Sequence, residues 1–97
     1  MFARDITFKD WGTAFPEQHN AYAPNGNLVG YVRVRNGWCL TYCPDSGSNE
    51  KVYESYIGGV GGYFNSNNER KKHLREIKKC IAQWCNEHPG IYGENDL

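Results

Sequence analysis

The dipeptide Asn36-Gly37 is the feature that most constrains the fold of this chain. It lies inside the β-rich stretch Leu28–Cys43, and Asn-Gly is the pair preferred for a two-residue type I′ hairpin turn because both central residues need a positive φ. A two-residue turn fixes the register and places Arg35 opposite Trp38. The next predicted pairs are Val34 with Cys39, Arg33 with Leu40, Val32 with Thr41, and Tyr31 with Tyr42.

This register sorts the hairpin into two surfaces, since side chains alternate between the faces of a strand. One face holds Val32, Val34, Cys39, Thr41 and Cys43; the other, the hairpin face, holds Tyr31, Arg33, Arg35, Trp38, Leu40 and Tyr42. A third β-prone run, Lys51–Ile57, follows the polar loop 44–49. The pattern over 28–57 therefore predicts a three-stranded antiparallel meander.

Residues 1–27 carry isolated aromatic side chains, prolines and glycines without a sustained pattern, and we predict an irregular segment there. Only Ala3–Phe8 alternates as a strand does, which makes it the candidate for a fourth strand. The alternative is a short helix, because Thr7 and Asp10 have the three-residue spacing of a cap and Gly12 would end it.

A C-terminal amphipathic helix is predicted over 66–88. Ser66 and Glu69 have the spacing of a capping box, which starts the helix near Asn67, and Pro89-Gly90 follows its end. Its apolar stripe consists of Leu74, Ile77, Ile81 and Trp84, and we expect this stripe to meet Val32, Val34 and Cys39. The predicted fold class is α+β: a three- or four-stranded antiparallel sheet with one helix packed on one face, and a short tail at 91–97.

Composition limits the class of protein. A chain of 97 residues suits one domain, and 39% hydrophobic with 14% aromatic residues is too apolar for a disordered chain. Eleven Lys plus Arg balance eleven Asp plus Glu, so net charge indicates neither a basic nucleic-acid coat nor an acidic mimic. No run is apolar enough for a membrane span, and Arg4, Asp5 and Lys9 occupy the place of a signal sequence. We expect a cytoplasmic protein without a membrane partner.

Two surfaces are candidates for partner binding. The first is a basic ridge on the helix, opposite the apolar stripe, made of Lys71, Lys72, Arg75, Lys78 and Lys79. The second is the hairpin face, where aromatic residues interleaved with arginines suit a protein hot spot or stacking on bases. The alternatives are a solvated helix face for the ridge, and a core that Phe2, Trp11 and Phe15 cover for the hairpin face.

The remaining motifs indicate no cofactor, metal, small-molecule substrate or catalytic group. On a regular strand Cys39 and Cys43 would lie about 13 Å apart, too far to share one zinc ion, so we expect buried thiols. Pairing with Cys80 or Cys85 is the alternative in an oxidising compartment. The run Gly58–Gly62 lacks the Lys-Ser or Lys-Thr of a phosphate-binding loop, and the acidic residues are scattered.

Three strands followed by one helix over Leu28–His88 is an element order similar to that of the DNA-binding domains of plant ethylene-response factors and the arm-binding domains of phage integrases. That resemblance implies a sheet face that enters the major groove. In its size and its lack of a catalytic motif the chain is also similar to small phage-encoded inhibitors such as anti-CRISPR proteins.

The sequence therefore favours a noncatalytic protein-binding module, a mobile-element inhibitor that occludes a host protein or protein complex through the hairpin face or the basic ridge. Neutral net charge and the predicted placement of these two surfaces on opposite sides of a two-layer fold favour a protein partner. The alternative is a small DNA- or RNA-binding domain that uses the hairpin face for bases and the ridge for phosphates.

Overall fold

The computed structural model describes residues 1–10, 17–45, 48–59 and 61–89. A 3-10 turn, Ala3–Asp5, precedes the strands β1 (Thr7–Asp10), β2 (Gln18–Tyr22), β3 (Leu28–Arg35), β4 (Trp38–Asp45) and β5 (Ser48–Tyr56), and the helix α1 (Asn67–Glu87) follows them. The strands lie in chain order in one sheet, and every neighbouring pair is antiparallel. The predicted α+β class, an antiparallel sheet with one helix, is confirmed, but the sheet has five strands rather than three or four.

The central hairpin has the predicted register. Arg35 pairs with Trp38 and Tyr31 with Tyr42, and the three pairs between them also match. Asn36 and Gly37 both have positive φ, 52° and 81°, as a type I′ turn requires.

The expectation of an irregular segment over 1–27 is wrong for two stretches, which form β1 and β2. Ala3–Asp5 is a 3-10 turn, and the strand begins only at Thr7, so the alternative of a helix after Thr7 is also wrong. The inward positions of β2 are His19 and Ala21, both buried. A polar residue and a very small one do not give the strong apolar alternation by which a strand is recognised, and pairing with β3 supplies the stabilisation instead.

The third predicted strand is longer than its apolar pattern. β5 begins at Ser48 because it continues to pair with β4 as far as Asp45, through polar residues that have no strand signal. A bulge between Thr41 and Tyr42 shifts the β4–β5 register, and a bulge puts two residues of one strand opposite one of its partner.

The helix begins at the predicted residue. The backbone N–H of Glu69 donates to Ser66 Oγ at 3.1 Å, which caps the first turn. The Glu69 carboxylate accepts from the backbone N–H of Asn65 at 2.8 Å, one residue before the position that a standard capping box uses. His88 is the C-cap, and the residues from 90 onward, with the predicted tail at 91–97, lie outside the described residues.

The core lies between α1 and one face of the sheet. The predicted inner face is fully buried, and Ile77, Ile81 and Trp84 of the helix stripe join the same cluster, with Leu74 partly buried beside it. The alternative in which the hairpin face is the core is wrong, because Trp38 is 41% exposed and Phe2 is 64% exposed. Trp11 and Phe15, the other aromatic residues of that alternative, lie outside the described residues.

The glycine-rich loop packs against the hairpin turn. The backbone N–H of Gly37 donates to Gly61 O at 3.2 Å, and that of Ile57 donates to Gly37 O at 2.8 Å. A Cβ on Gly37 would overlap the carbonyl oxygen of Gly59, so the close approach requires glycine at this position.

In the part of the chain that the structure describes, no helix combines the length and the apolar character needed to cross a membrane.

Candidate binding face of the sheet

The sheet presents one face to α1 and leaves the other uncovered by that helix. We call the second one the open face and define it by the register, because directly opposite residues of an antiparallel pair point to the same side. It comprises Thr7, Lys9, Gln18, Asn20, Tyr22, Leu28, Tyr31, Arg33, Arg35, Trp38, Leu40, Tyr42, Pro44, Asn49, Lys51, Glu54 and Tyr56. The whole predicted hairpin face belongs to it, so one continuous surface gathers side chains from all five strands.

One lateral row crosses the entire sheet. It runs from Lys9 through Asn20, Tyr31 and Tyr42 to Lys51, with one residue from each strand. The rings of Tyr31 and Tyr42 stack with their centroids 5.3 Å apart and their planes 26° apart. An aromatic pair thus occupies the centre of the row, and a lysine stands at each edge of the sheet.

A second aromatic pair lies about 13 Å along the strands from the first, because Trp38 precedes Tyr42 by four residues in β4. Trp38 and Tyr56 have ring centroids 5.1 Å apart, and both side chains are exposed, by 41% and 59%. Arg35 pairs with Trp38 in the same row and is also exposed. Partly exposed Trp and Tyr side chains are typical of binding surfaces, because these residues often contribute most of the binding energy.

The open face is positively charged although the whole chain is neutral. Four cations, Lys9, Arg33, Arg35 and Lys51, lie on it against one carboxylate, Glu54. The Lys51 ammonium contacts Glu54 Oε1 at 3.3 Å, but both side chains are 46% exposed and water screens such a pair strongly. Positive and negative charges balance over the whole sequence, but folding concentrates positive charge on the open face.

The basic ridge lies on the opposite side of the molecule, since the stripe across α1 from it packs on the inner face of the sheet. Lys71, Lys72, Arg75 and Lys79 are exposed, whereas Lys78 is half-buried with its Nζ 5.7 Å from the centroid of the Phe8 ring. The ten sequence-predicted site residues therefore fall into two groups of five that the fold does not bring together. The opposite-side placement predicted for a two-layer fold is observed.

The four cysteines are free thiols in the core or at its margin. Burial is the largest cause that raises the pKa of Cys39 and Cys43, each to about 12, and burial also raises the pKa of Cys85, to about 11. The half-buried Cys80 has a raised pKa for the same reason. Such thiols carry little thiolate, the form that attacks substrates and binds metals. Among the described residues no group of three or more His, Cys, Asp or Glu side chains is arranged to hold a metal ion.

A buried polar cluster, which sequence reasoning missed, joins the sheet to α1. Arg70 donates to Glu17 through Nε at 2.6 Å and through its terminal NH2 group at 3.0 Å, and His19 Nε2 lies 2.6 Å from Glu17 Oε2. Burial by itself raises the pKa of Glu17, but the bonds from Arg70, His19 and the Phe64 amide outweigh burial and leave that pKa lowered. This cluster links the start of β2 to the first turn of α1.

Sequence reasoning also missed the members of the open face that lie outside the hairpin face, among them Lys9, Tyr22, Lys51 and Tyr56. Lys9 lies on β1, just beyond the candidate strand Ala3–Phe8, and Tyr22 lies on the unpredicted β2; the Nζ of Lys9 stands 5.1 Å from the centroid of the Tyr22 ring. Tyr56 lies in the predicted third strand, but no signal in the sequence fixes the register of β5 against β4. The alternation of Thr7, Lys9 and Phe8 was the only available sign that Lys9 points outward.

The chain has no match among protein-family models, curated proteins or solved structures.

Proposed function

We propose that the protein is a noncatalytic protein-binding module that docks on a host protein or protein complex through the open face and inhibits it by occluding its surface. The observation that carries the proposal is the presence of two aromatic pairs, the exposed Trp38 with Tyr56 and the half-buried Tyr31 with Tyr42, on a sheet face that α1 does not cover. As an anti-defence inhibitor made by a phage or another mobile element, it would act in the cytoplasm of the host cell.

The arrangement of the open face supports a protein partner. Binding energy at protein interfaces is concentrated in central Trp, Tyr and Arg residues, surrounded by a polar rim that excludes water. Leu40 and Arg33 lie between the two aromatic pairs, while Lys9 and Lys51 stand at the edge strands. The open face thus carries aromatic and arginine side chains between lysines that stand on its two edge strands.

The raised pKa values of the cysteine thiols support a noncatalytic role. All four thiols have raised pKa values, which disfavours the reactive thiolate. The buried carboxylate of Glu17 is engaged by a guanidinium and is thereby held in its charged form rather than poised for proton transfer.

Nucleic-acid binding by both surfaces at once is disfavoured by their placement. The open face and the basic ridge lie on opposite sides of a two-layer molecule, so one straight duplex cannot contact both. A nucleic acid would have to use one of them alone.

Affinity capture with two matched variants tests the proposal. The immobilised wild-type protein, Arg33→Glu/Trp38→Ala, and Arg75→Glu/Tyr63→Ala are each exposed to host lysate, and the bound proteins are identified by mass spectrometry. Each double variant reverses one cation and truncates one large aromatic side chain, but only the first lies on the open face. We expect a specific protein to be retained by the wild type and by the Arg75/Tyr63 variant, and lost by the Arg33/Trp38 variant.

Thermal melting of all three proteins serves as the control for folding. Both variants should melt cooperatively, because the altered side chains are exposed or half-exposed. Tyr63 is half-exposed in the loop before α1. Retention of the partner by a folded Arg33/Trp38 variant would refute the assignment of the open face, and its loss from the Arg75/Tyr63 variant alone would transfer the function to a surface outside the open face.

A further inference from the structure

The charge and hydrogen-bonding character of the open face define the kind of surface that it fits. We propose that the open face binds an acidic protein surface, one that presents Asp and Glu carboxylates to the aromatic pairs and the surrounding cations. This inference rests on the proposed function, because it names the chemistry of the partner at the same site.

The distribution of cations is the first argument. Six of the eleven Lys and Arg residues lie on α1, and four of the other five lie on the open face, where Glu54 is the one carboxylate. The outer two, Lys9 and Lys51, are about 19 Å apart across the five strands, so the positive potential covers the full width of the sheet. A complementary partner must therefore carry negative charge over a comparable width.

The same distribution argues against a second copy of this chain as the occupant. Two open faces packed together would bring four cations of one copy against four of the other, with one carboxylate on each side. Like charges across an interface are repulsive, and their desolvation adds to the cost.

The hydrogen-bonding groups on the open face are mostly donors. Lysine, arginine and the indole N–H of Trp38 only donate, and a tyrosine hydroxyl can donate as well. Ionised carboxylates only accept, and their bonds with charged donors are among the stronger ones in proteins. The lysine, arginine and indole donors of the open face are therefore complementary to the carboxylate acceptors of an acidic protein surface.

The orientation of the rings favours a protein over a single-stranded nucleic acid. Tyr31 and Tyr42 lie on adjacent strands, which are about 4.8 Å apart, and their centroid separation of 5.3 Å at a small interplanar angle means that the rings face each other along the sheet. Trp38 packs against Tyr56, and the Lys9 ammonium lies over Tyr22. Base stacking needs ring faces that are turned outward, whereas the stacked rings of Tyr31 and Tyr42 offer edges and hydroxyl groups.

Amide chemical-shift titration of the ¹⁵N-labelled full chain tests this inference with defined probes. The probes are an oligoglutamate peptide, an oligoglutamine peptide of the same length, and an oligothymidylate with the same number of negative charges, each at low and at physiological salt. We expect oligoglutamate to shift the amides of β3 and β4 around Arg33 and Leu40 more than those of α1, and to bind more weakly as salt rises. Oligoglutamine should produce no shifts at either salt.

Two charge-reversal variants distinguish an effect of the binding site from an effect of the net charge. Arg33→Glu/Arg35→Glu and Lys71→Glu/Lys72→Glu change the net charge equally, the first pair on the open face and the second on the basic ridge. The first should weaken oligoglutamate binding by about tenfold or more, and the second by less than about threefold.

Equal weakening by the two variants, or shifts confined to α1, would overturn the inference. Tighter binding of oligothymidylate than of oligoglutamate at the open face would assign that face to single-stranded nucleic acid instead. If oligoglutamate does not shift the open face while lysate capture still depends on Trp38, the acidic-partner inference fails and the protein-binding proposal stands. If capture is unaffected by the Arg33/Trp38 variant, the proposed function itself fails.

Discussion

Replacing Glu17 by glutamine tests whether the buried charged cluster holds the sheet and the helix together. The substitution keeps the shape of the side chain, removes the negative charge, and turns one of the two acceptor oxygens into a donor. Each carboxylate oxygen of Glu17 accepts one hydrogen bond from Arg70, at 2.6 and 3.0 Å. After the substitution, the amide NH2 group would face a guanidinium N–H, and two donors would meet.

The expected loss follows from the groups that are affected. A hydrogen bond to a charged group contributes about 1.5–3 kcal/mol, and removal of one member of a fully buried pair costs about 3–5 kcal/mol. The Arg70 side chain is 30% exposed and can regain some hydration, which places the estimate at the lower end. We expect Glu17→Gln to lower the free energy of unfolding by about 2–3 kcal/mol at neutral pH.

The pH dependence of the free energy of unfolding provides an independent test of the same prediction. The pKa of Glu17 is lowered in the folded state from an ordinary value of 4.5, so its stabilisation is fully present above 4.5 and is lost as the pH falls through the folded-state value. A protonated Glu17 resembles glutamine. The difference in stability between wild type and Glu17→Gln should therefore shrink as the solution is acidified.

Urea unfolding followed by tryptophan fluorescence measures both effects, with Glu76→Gln as the matched control. Glu76 forms an exposed pair with Lys79 at 3.6 Å, so its substitution should cost less than about 0.5 kcal/mol. A loss below about 1 kcal/mol for Glu17→Gln, or a difference that stays constant on acidification, would refute the reasoning.

Three further predictions concern local structure. Gly37→Ala should lower the free energy of unfolding in urea by more than about 2 kcal/mol. Gly26 also has a positive φ, but no atom lies within 4 Å of an added Cβ, so Gly26→Ala should cost only about 1 kcal/mol. Equal losses would contradict the predicted overlap with Gly59. Ser66→Ala should cost about 1 kcal/mol and Ser66→Gly only a few tenths in the same assay, because glycine tolerates the cap conformation; a neutral alanine would mean that the side chain does not cap α1. In native protein at neutral pH, Ellman's reagent should modify Cys80 first, with the other cysteines reacting only after denaturant is added; four equally fast thiols would show that the core is open.

Local signals in the sequence determined the hairpin and the helix. Asn36-Gly37 specifies a turn with only one register, and strict alternation then assigns every side chain from Tyr31 to Tyr42 to a face. Ser66 and the apolar stripe of α1 likewise act within one or two turns of helix. Interactions between near neighbours in the chain can be read from a sequence because chain geometry fixes which groups meet.

Tertiary structure alone decided β2, the full extent of β1 and β5, and the composition of the open face. β2 is a strand because β1 and β3 pair with both its edges, although its inward residues, His19 and Ala21, form no apolar pattern. Glu17 is buried because Arg70, 53 residues away, satisfies its charge. Lys9 and Lys51 reach one lateral row only through four successive strand registers, two of which contain a shift. Each of these depends on which distant segments pair, and no local propensity encodes that choice.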